Sequence, residues 1–355
     1  PNASGKSNVL DALSLFNKMM IAEMLPSIEF IREHLWAGEA RDITFQLQVN
    51  VEEIPTQYGL ELKAEDENLL FDETLLVDDV PVISIQNGEG KVQDENRENL
   101  TNYKSTKLAL KSAGDYGNKP ITSTLTEFVK SWEFYDFQPQ LIRTHLSRSS
   151  AVPGELRGSP KLDIRGLRLA ELLSDWHKNT RTDFDSVSAS LEACTNLKID
   201  YCEIGGTNQI CLLEGYRNPI PLARASDGTL RLVGYYILLN QPDLPPLIAI
   251  EEPERNLHPG ALKNITNVLE QIAKHSQVVI TTHSSQLLDN FKSESLSDSL
   301  GVLLLRNRPG LGTEVLNLED IRGKRAALDG WIADFGIGSA IFDSELLQDL
   351  MEEPV

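Results

Sequence analysis

Cysteine is scarce in this sequence: Cys194, Cys202 and Cys211 are the only three, odd in number and without a C-x-x-C spacing. A disulfide framework or a zinc ribbon is therefore disfavoured, and buried free thiols are expected. Long apolar runs are missing too. The strongest, Leu247-Ile248-Ala249-Ile250 and Val302-Leu303-Leu304-Leu305, are strand-sized, far short of the roughly 20 residues that span a bilayer. No charged-then-apolar leader opens the sequence, so a cytoplasmic protein with no membrane partner is expected. There is no internal repeat and no sustained heptad run, which excludes long coiled-coil arms. Basic residues are outnumbered, 33 Lys and Arg against 53 Asp and Glu, for a formal charge of −20.

That deficit bears on partners. Phosphate neutralisation supplies most non-specific affinity for DNA, so an acidic chain is expected to bind duplex weakly at physiological salt. A DNA ligand needs a local basic groove or a second protein. Basic residues gather in two places, Arg143, His145 and Arg148 with Lys161, Arg165 and Arg168, and Arg306 and Arg308 with Arg322, Lys324 and Arg325. Solvated faces or ion pairs are the expected reading of both.

What is present is an ordinary apolar content of 41% over 355 residues, ample for a core. Val9, Leu10, Leu13, Phe16 and Met20 recur at helical spacing after Gly5, and a second helical pattern runs through Ile28, Phe30, Ile31 and Leu35. From Ile43 to about Ile85 apolar and polar residues alternate, as in an antiparallel meander. Residues 86–120 are rich in Asn, Glu, Lys and Gly and are expected to be a mobile or weakly paired excursion. A helix at 122–131 and a strand at 132–137 follow, then a loop at 147–162, helices at 163–178 and 183–195, and short strands near 198–203 and 209–214. The last third alternates helix 228–240, strand 246–251, helix 259–274, strand 277–282, helix 284–291 and strand 301–305. Such alternation predicts a parallel sheet. The expected divisions are 1–137, a loop with an antiparallel β lobe; 138–225, a small helical subdomain; 226–300, the core half carrying three of the motifs; and 301–355.

Four motifs carry chemistry. Pro1-Asn2-Ala3-Ser4-Gly5-Lys6-Ser7 is a phosphate-binding loop, G-x-x-x-x-G-K-S, whose first glycine would sit one residue before Pro1. Gly5 lets backbone N–H groups turn inward, and the helix that follows directs its amides at the same oxygens. Lys6 adds a point charge, and Ser7 offers a hydroxyl to Mg²⁺. Lacking that glycine and its preceding strand, the sequence as given is expected to bind nucleotide poorly. The bland alternative is a chance S-G-K-S in a capping loop. Second, Pro246 to Ile250 is a buried strand ending in Glu251-Glu252-Pro253. Its last side chains arrive at the C-terminal edge of the sheet, where open α/β folds bind ligands. Glu251 suits the metal shell and Glu252 the water-activating base; the alternative is a solvated acidic pair. Third, Ser226-Asp227-Gly228 opens helix 228–240, an anion site or an ordinary N-cap. Fourth, strand 278–282 ends in His283, placed for a terminal phosphate or the attacking water, or simply structural.

In order and spacing these motifs resemble the Walker A, signature, Walker B, D-loop and switch-histidine series of ABC-type ATPases. The strings Ile250-Glu251-Glu252-Pro253-Glu254-Arg255-Asn256-Leu257-His258-Pro259 and Thr281-Thr282-His283-Ser284 resemble the RecF, SMC and overcoming-lysogenization-defect branch. The resemblance is strong over residues 1–13 and 222–290. It implies an α/β ABC-type P-loop fold with a parallel core sheet, an antiparallel β-meander insertion and a small helical subdomain. It further implies ATP and Mg²⁺ as cofactors and ATP hydrolysis by a head-to-tail dimer. Asn2, Ala3, Ser4, Gly5, Lys6, Ser7 and Asn8 would cradle the phosphates. Ser7 and Glu251 would hold the metal, and Glu252 and His283 would catalyse in cis. Ser226 and Gly228 would meet the partner's γ-phosphate, with Asp227 between them counted among the nucleotide-binding residues, and Gln138, ahead of Gln140, would be the glutamine-loop residue. Glu254 to His258 takes the D-loop place. Two departures stand out: Glu251 replaces the usual aspartate, and the signature reads Ser-Asp-Gly instead of Ser-Gly-Gly. Only 72 residues follow His283, few for a nuclease domain, so any nuclease is expected on a separate polypeptide. The implied role is the ATPase engine of a bacterial anti-phage defence or genome-maintenance complex. The alternative is a RecF-like, ATP-gated DNA-binding repair protein.

Overall fold

The computed structural model describes residues 5–35, 42–65, 67–113, 117–149, 161–213, 218–296, 298–308, 310, 312–323, 325 and 327–342. The chain forms two compact units. One comprises Asn8–Trp132 with Arg308–Gly312; the other comprises residues up to Ser7, Glu133–Asn307 and the chain from Thr313 on.

Helix α1 (Lys6–Ile21) enters the first unit and α2 (Ile28–His34) follows, its Ser27 cap accepting the Phe30 N–H. A six-stranded antiparallel sheet then runs in sequence order through β1 (Asp42–Val51), β2 (Ile54–Glu65), β3 (Asn68–Val77), β4 (Val80–Gln86), β5 (Glu89–Gln93) and β6 (Leu100–Lys104). The tight turns explain the register. Glu52-Glu53, Asp78-Asp79 and Asn87-Gly88 all have positive φ at both positions, the geometry whose twist matches that of flanking strands. Helices α3 (Ala109–Ala113) and α4 (Pro120–Lys130) complete the unit. Its core gathers Phe16, Met19 and Met20 of α1 with Leu60, Leu62, Phe71, Leu75 and Ile83 of the sheet, each side chain worth about 2 kcal/mol on burial. Phe16 stacks on Phe45 at 5.2 Å and lies 6.0 Å from Trp132.

The excursion expected over 86–120 is not what the described residues form. β5, β6 and α3 occupy it, and polar bonds hold it. Asp94 and Lys119 form a buried pair at 3.5 Å, and Glu95 accepts the first N–H groups of α4, Ile121 and Thr122.

Glu73 is fully buried within β3. It accepts hydrogen bonds from the Tyr58 hydroxyl and from the Ala109 and Leu110 N–H groups that open α3. Burial pushes its carboxyl up to about 7, and the Leu110, Ala109 and Tyr58 donors only partly oppose this. The folded state therefore holds the proton more tightly than the unfolded chain. The stability this group contributes is complete below about pH 4.5 and is lost as pH rises through about 7. Glu73→Gln should remove that dependence. The stability gap between wild type and variant should move by up to about 3 kcal/mol between pH 4.5 and 8, against the wild type at the alkaline end. Urea midpoints across this range measure it; parallel pH profiles would refute it.

The second unit carries the parallel sheet. Strands β7 (Glu133–Tyr135), β11 (Leu247–Glu251) and β12 (Gln277–Thr281) pair in the order β12-β11-β7, with Ile250 beside Tyr135 and Glu251 beside Thr281. Around it lie α5 (Pro139–Ser149), α6 (Leu169–Asn179), α7 (Arg181–Thr195), α8 (Asp227–Asn240) and α9 (Leu262–Ile272), which share one core with β7 and β11. The helix expected from 163 begins at Leu169, because the Asp163 carboxylate caps the Arg168 N–H and Gly166 turns the chain at φ +77°. α5 was not read from the sequence and extends into the loop expected at 147–162, of which 150–160 lie outside the described residues.

Strands β8 (Lys198–Ile204), β9 (Thr207–Leu213) and β10 (Ile220–Pro221) make a small antiparallel sheet, turning at Gly205-Gly206. Here the free-thiol expectation is corrected. Asp200 faces Cys211 and Cys202 faces Gln209, so Cys202 and Cys211 are diagonal neighbours, joined as a disulfide with Cα atoms 6.0 Å apart. Cys194 is free. The remaining elements are α10 (Ser285–Leu288), the hairpin β13 (Leu303–Arg308) with β14 (Gly312–Asn317), α11 (Leu318–Arg322), α12 (Ala327–Phe335) and α13 (Ile337–Phe342). Among the described residues no helix is long and apolar enough to cross a membrane.

Candidate active site

Gly5 precedes α1 with φ +90°, and a Cβ there would lie 2.2 Å from Thr313 Oγ1. Both the torsion and the space demand glycine. Lys6 and Ser7 are the first helical residues, so their N–H groups belong to the turn that has no intrahelical acceptor. Asn8 follows, exposed. Asn2, Ala3 and Ser4 lie outside the described residues.

β11 delivers Glu251 to its C-terminal end, where Ser7 Oγ donates a hydrogen bond to Glu251 Oε1 across 244 residues of sequence. A hydroxyl and a carboxylate in contact are hard oxygen donors of the kind Mg²⁺ takes, with phosphate and water filling the rest of its octahedron. No group of three or more His, Cys, Asp or Glu residues converges among the described residues, so an all-protein cage is not what is offered.

Glu252 stands at φ +44°, an uncommon conformation for a side-chain-bearing residue and one found at functional sites. Its N–H still extends the ladder to the Thr281 carbonyl at 2.9 Å. Beyond it the chain turns away, and Glu252 Oε1 meets His283 Nδ1 at 2.9 Å. With Nδ1–H donating to the carboxylate, Nε2 accepts from a water in the neutral ring and donates to a phosphate oxygen only in the imidazolium. The next turn is fixed by Glu254, whose Oε1 accepts from Thr282 Oγ1 at 2.6 Å while Oε2 is buried without a partner.

Gln138 lies just past β7, its amide donating to Asp136 Oδ2 at 3.0 Å; Gln140 is exposed. Asp136 also takes Arg255 Nη2 at 3.1 Å and stands 3.8 Å from Arg231 Nη2. Arg231 is only 3% exposed, and its Nε and Nη1 have no partner. Sequence reading gave no role to Asp136 or Arg231, and placed Arg255 only within the Glu254–His258 segment. The one visible signal was a cation, Arg231, inside the apolar run of α8.

Ser226 caps α8, accepting the Thr229 N–H at 3.1 Å. Asp227 pairs with Arg143 Nη2 at 2.5 Å and receives a long 3.4 Å contact from Asn256. A Cβ on Gly228 would stand 2.6 Å from the Asn256 carbonyl, so glycine is required by close backbone approach. Among the described residues, no hydrogen bond or ion pair joins Ser226, Asp227 or Gly228 to Ser7, Glu251, Glu252 or His283. Ser7 with Glu251 and Glu252 with His283 are two pairs brought side by side by the consecutive acids at the end of β11; the three signature residues lie apart at the start of α8.

A glycine-led helix start carrying Lys6 and Ser7, a buried parallel strand ending in two acids and a histidine that follows the neighbouring strand define a P-loop ATPase fold of the ABC type. The chain belongs to the family described as "AAA domain, putative AbiEii toxin, Type IV TA system", whose model matches residues 1–289. No curated protein matches it. Among solved structures, the SMC head bound to the C-winged helix domain of ScpA is similar, with 16% identity over 91% of this chain and 90% of that one and a TM-score of 0.43. A Pyrococcus furiosus SMC head with an extended coiled coil, bound to the C-terminal domain of ScpA, gives 11% over 91% and 90%, TM-score 0.41. The Thermotoga maritima SMC head domain gives 13% over 89% and 87%, TM-score 0.37.

Proposed function

We propose that this protein binds and hydrolyses ATP with Mg²⁺ as a head-to-tail dimer in the cytoplasm. It serves as the ATPase engine of a bacterial anti-phage defence or genome-maintenance complex whose effector, such as a nuclease, is a separate protein. The observation that carries the reading is the two contacts made by consecutive acids at the end of β11, Glu251 with Ser7 and Glu252 with His283. Lys6 and the amides that open α1 hold the phosphates. Ser7 and Glu251 hold Mg²⁺, which when bound offsets phosphate charge. Glu252 takes the proton of the attacking water, while His283 orients the carboxylate through Nδ1–H and, as the imidazolium, donates Nε2–H to the terminal phosphate. Gln138 supports the water and metal from just past β7. Ser226 and Gly228 reach the nucleotide of the second subunit.

The ion pairs weigh against a DNA groove. Arg143 is taken by Asp227, Arg168 by Glu171, Arg306 by Glu314, and Arg322 by Glu319 and Asp329. Paired cations release few counterions from DNA. The test is full-length protein in a hydrolysis assay and in sedimentation with and without ATP. Wild type should hydrolyse ATP and gain mass with it, and Lys6→Ala should weaken ATP affinity at least about tenfold, by loss of one charge-assisted contact. Turnover that survives Lys6→Ala intact would overturn the assignment.

A further inference from the structure

The signature loop contains a contradiction. Residues expected to receive the terminal phosphate of a triphosphate enclose an acid, Asp227, between Ser226 and Gly228. A carboxylate a few ångströms from a polyanion is repulsive, and a water-poor interface strengthens the repulsion. We infer that Arg143 resolves it, as the positioning and charge-compensating residue that makes this acidic loop acceptable to a nucleoside triphosphate held by a second copy of the chain. This rests on the dimer reading above and adds a residue to it.

Arg143 reaches from α5 with one guanidinium nitrogen placed on two targets, Asp227 Oδ1 at 2.5 Å and the Ala225 carbonyl at 2.8 Å. The first bond takes the local charge of the loop from negative to neutral. The second fixes the backbone immediately before Ser226. Between them, Arg143 holds the residues on both sides of the serine. The pair is about one-third exposed on each side, and such pairs add little to folding stability. Its consequence is therefore local: the charge and shape of the α8 entrance. Asn256 adds a second restraint from the 253–258 loop, its carbonyl against Gly228 and its amide towards Asp227. A guanidinium carries five donors, so nitrogen atoms beyond the one used here remain for solvent or ligand oxygens.

The experiment is a double-mutant cycle in the Glu252→Gln background. It compares the parent, Arg143→Ala, Asp227→Asn and the double variant, reading the dimer dissociation constant with saturating ATP by sedimentation and ATP affinity by nucleotide titration. Arg143→Ala should weaken ATP-dependent dimerisation about tenfold or more and leave the affinity of each subunit's own phosphate loop unchanged. Asp227→Asn, added to Arg143→Ala, should return dimerisation to within about threefold of the parent, because no charge is left to compensate. A purely structural arginine would give no such rescue. If Arg143→Ala dimerises like the parent, or if its defect persists in the double variant, the inference fails while the dimer stands. A parent that binds ATP and stays monomeric overturns the dimer reading, and the inference with it.

Discussion

Glu252→Gln should bind ATP with near wild-type affinity and hydrolyse it at least about a hundredfold more slowly in a single turnover, the usual contribution of a positioned general base. The substitution is nearly isosteric. Glutamine keeps an acceptor oxygen for His283 Nδ1, now 2.9 Å from the Glu252 carboxylate, and it leaves the Ser7–Glu251 contact untouched. What it removes is the group that accepts a proton. Loss of kcat with binding preserved marks an interaction made in the transition state alone. The strained backbone at Glu252, φ +44°, makes the position informative: a residue is held there against its preference, and its side chain is thereby turned towards β12. Single-turnover hydrolysis with saturating ATP decides the matter. A variant that turns over at half the wild-type rate would remove Glu252 from the role and leave His283 as the residue to examine. The same variant should accumulate the ATP-bound dimer, which is why the cycle around Arg143 is set in its background.

Much of this site is legible in the sequence because its parts are local. A glycine, a lysine and a serine at a helix start, or two acids at the end of a buried strand, are short strings whose neighbours fix their geometry. The parallel sheet follows from the same kind of pattern: strand and helix alternate over the last third, and β11 and β12 fall at 247–251 and 277–281. What escaped is held by long-range polar bonds. Asp136 and Arg255 are 119 residues apart, and Arg143 meets the Ala225 carbonyl across 82; neither pairing leaves a periodic trace. Residues 86–120 escaped for a related reason. They carry few large apolar side chains, so hydrophobic alternation is silent there. The segment is fastened instead by the Asp94–Lys119 pair and the Glu95 cap on α4. Asn87-Gly88, the strongest short-range hairpin signal, was present and could have extended the meander by one strand. The cysteines fail differently. Cys202 and Cys211 become neighbours only through the register of β8 on β9, which spacing in sequence does not define.

Ser226→Arg should abolish ATP-dependent dimerisation while each subunit still binds ATP. In the single chain Ser226 already has an occupation: its Oγ accepts the Thr229 N–H at 3.1 Å and lies 2.8 Å from Thr229 Oγ1. Capping alone therefore explains a serine here, and the variant must separate capping from recognition of a second subunit's phosphate. Losing the cap costs about 1 kcal/mol of stability, too little to unfold a domain with a core of this size. Ser226→Ala pays the same loss and supplies the comparison, since it leaves the entrance to α8 open. Arginine adds a long side chain at the entrance to α8, in the place where a second subunit's phosphate would meet the Ser226 hydroxyl. Its added charge would attract phosphate, so a loss of dimerisation must come from obstruction. Sedimentation of both variants in the Glu252→Gln background, with saturating ATP, reads the difference. The alanine protein should dimerise with an affinity reduced by about tenfold, one hydrogen bond to a charged group, and the arginine protein should remain monomeric. Equal dimerisation by both would show that the α8 entrance does not face a second nucleotide, and the Ser226 hydroxyl would then be a helix cap and nothing more.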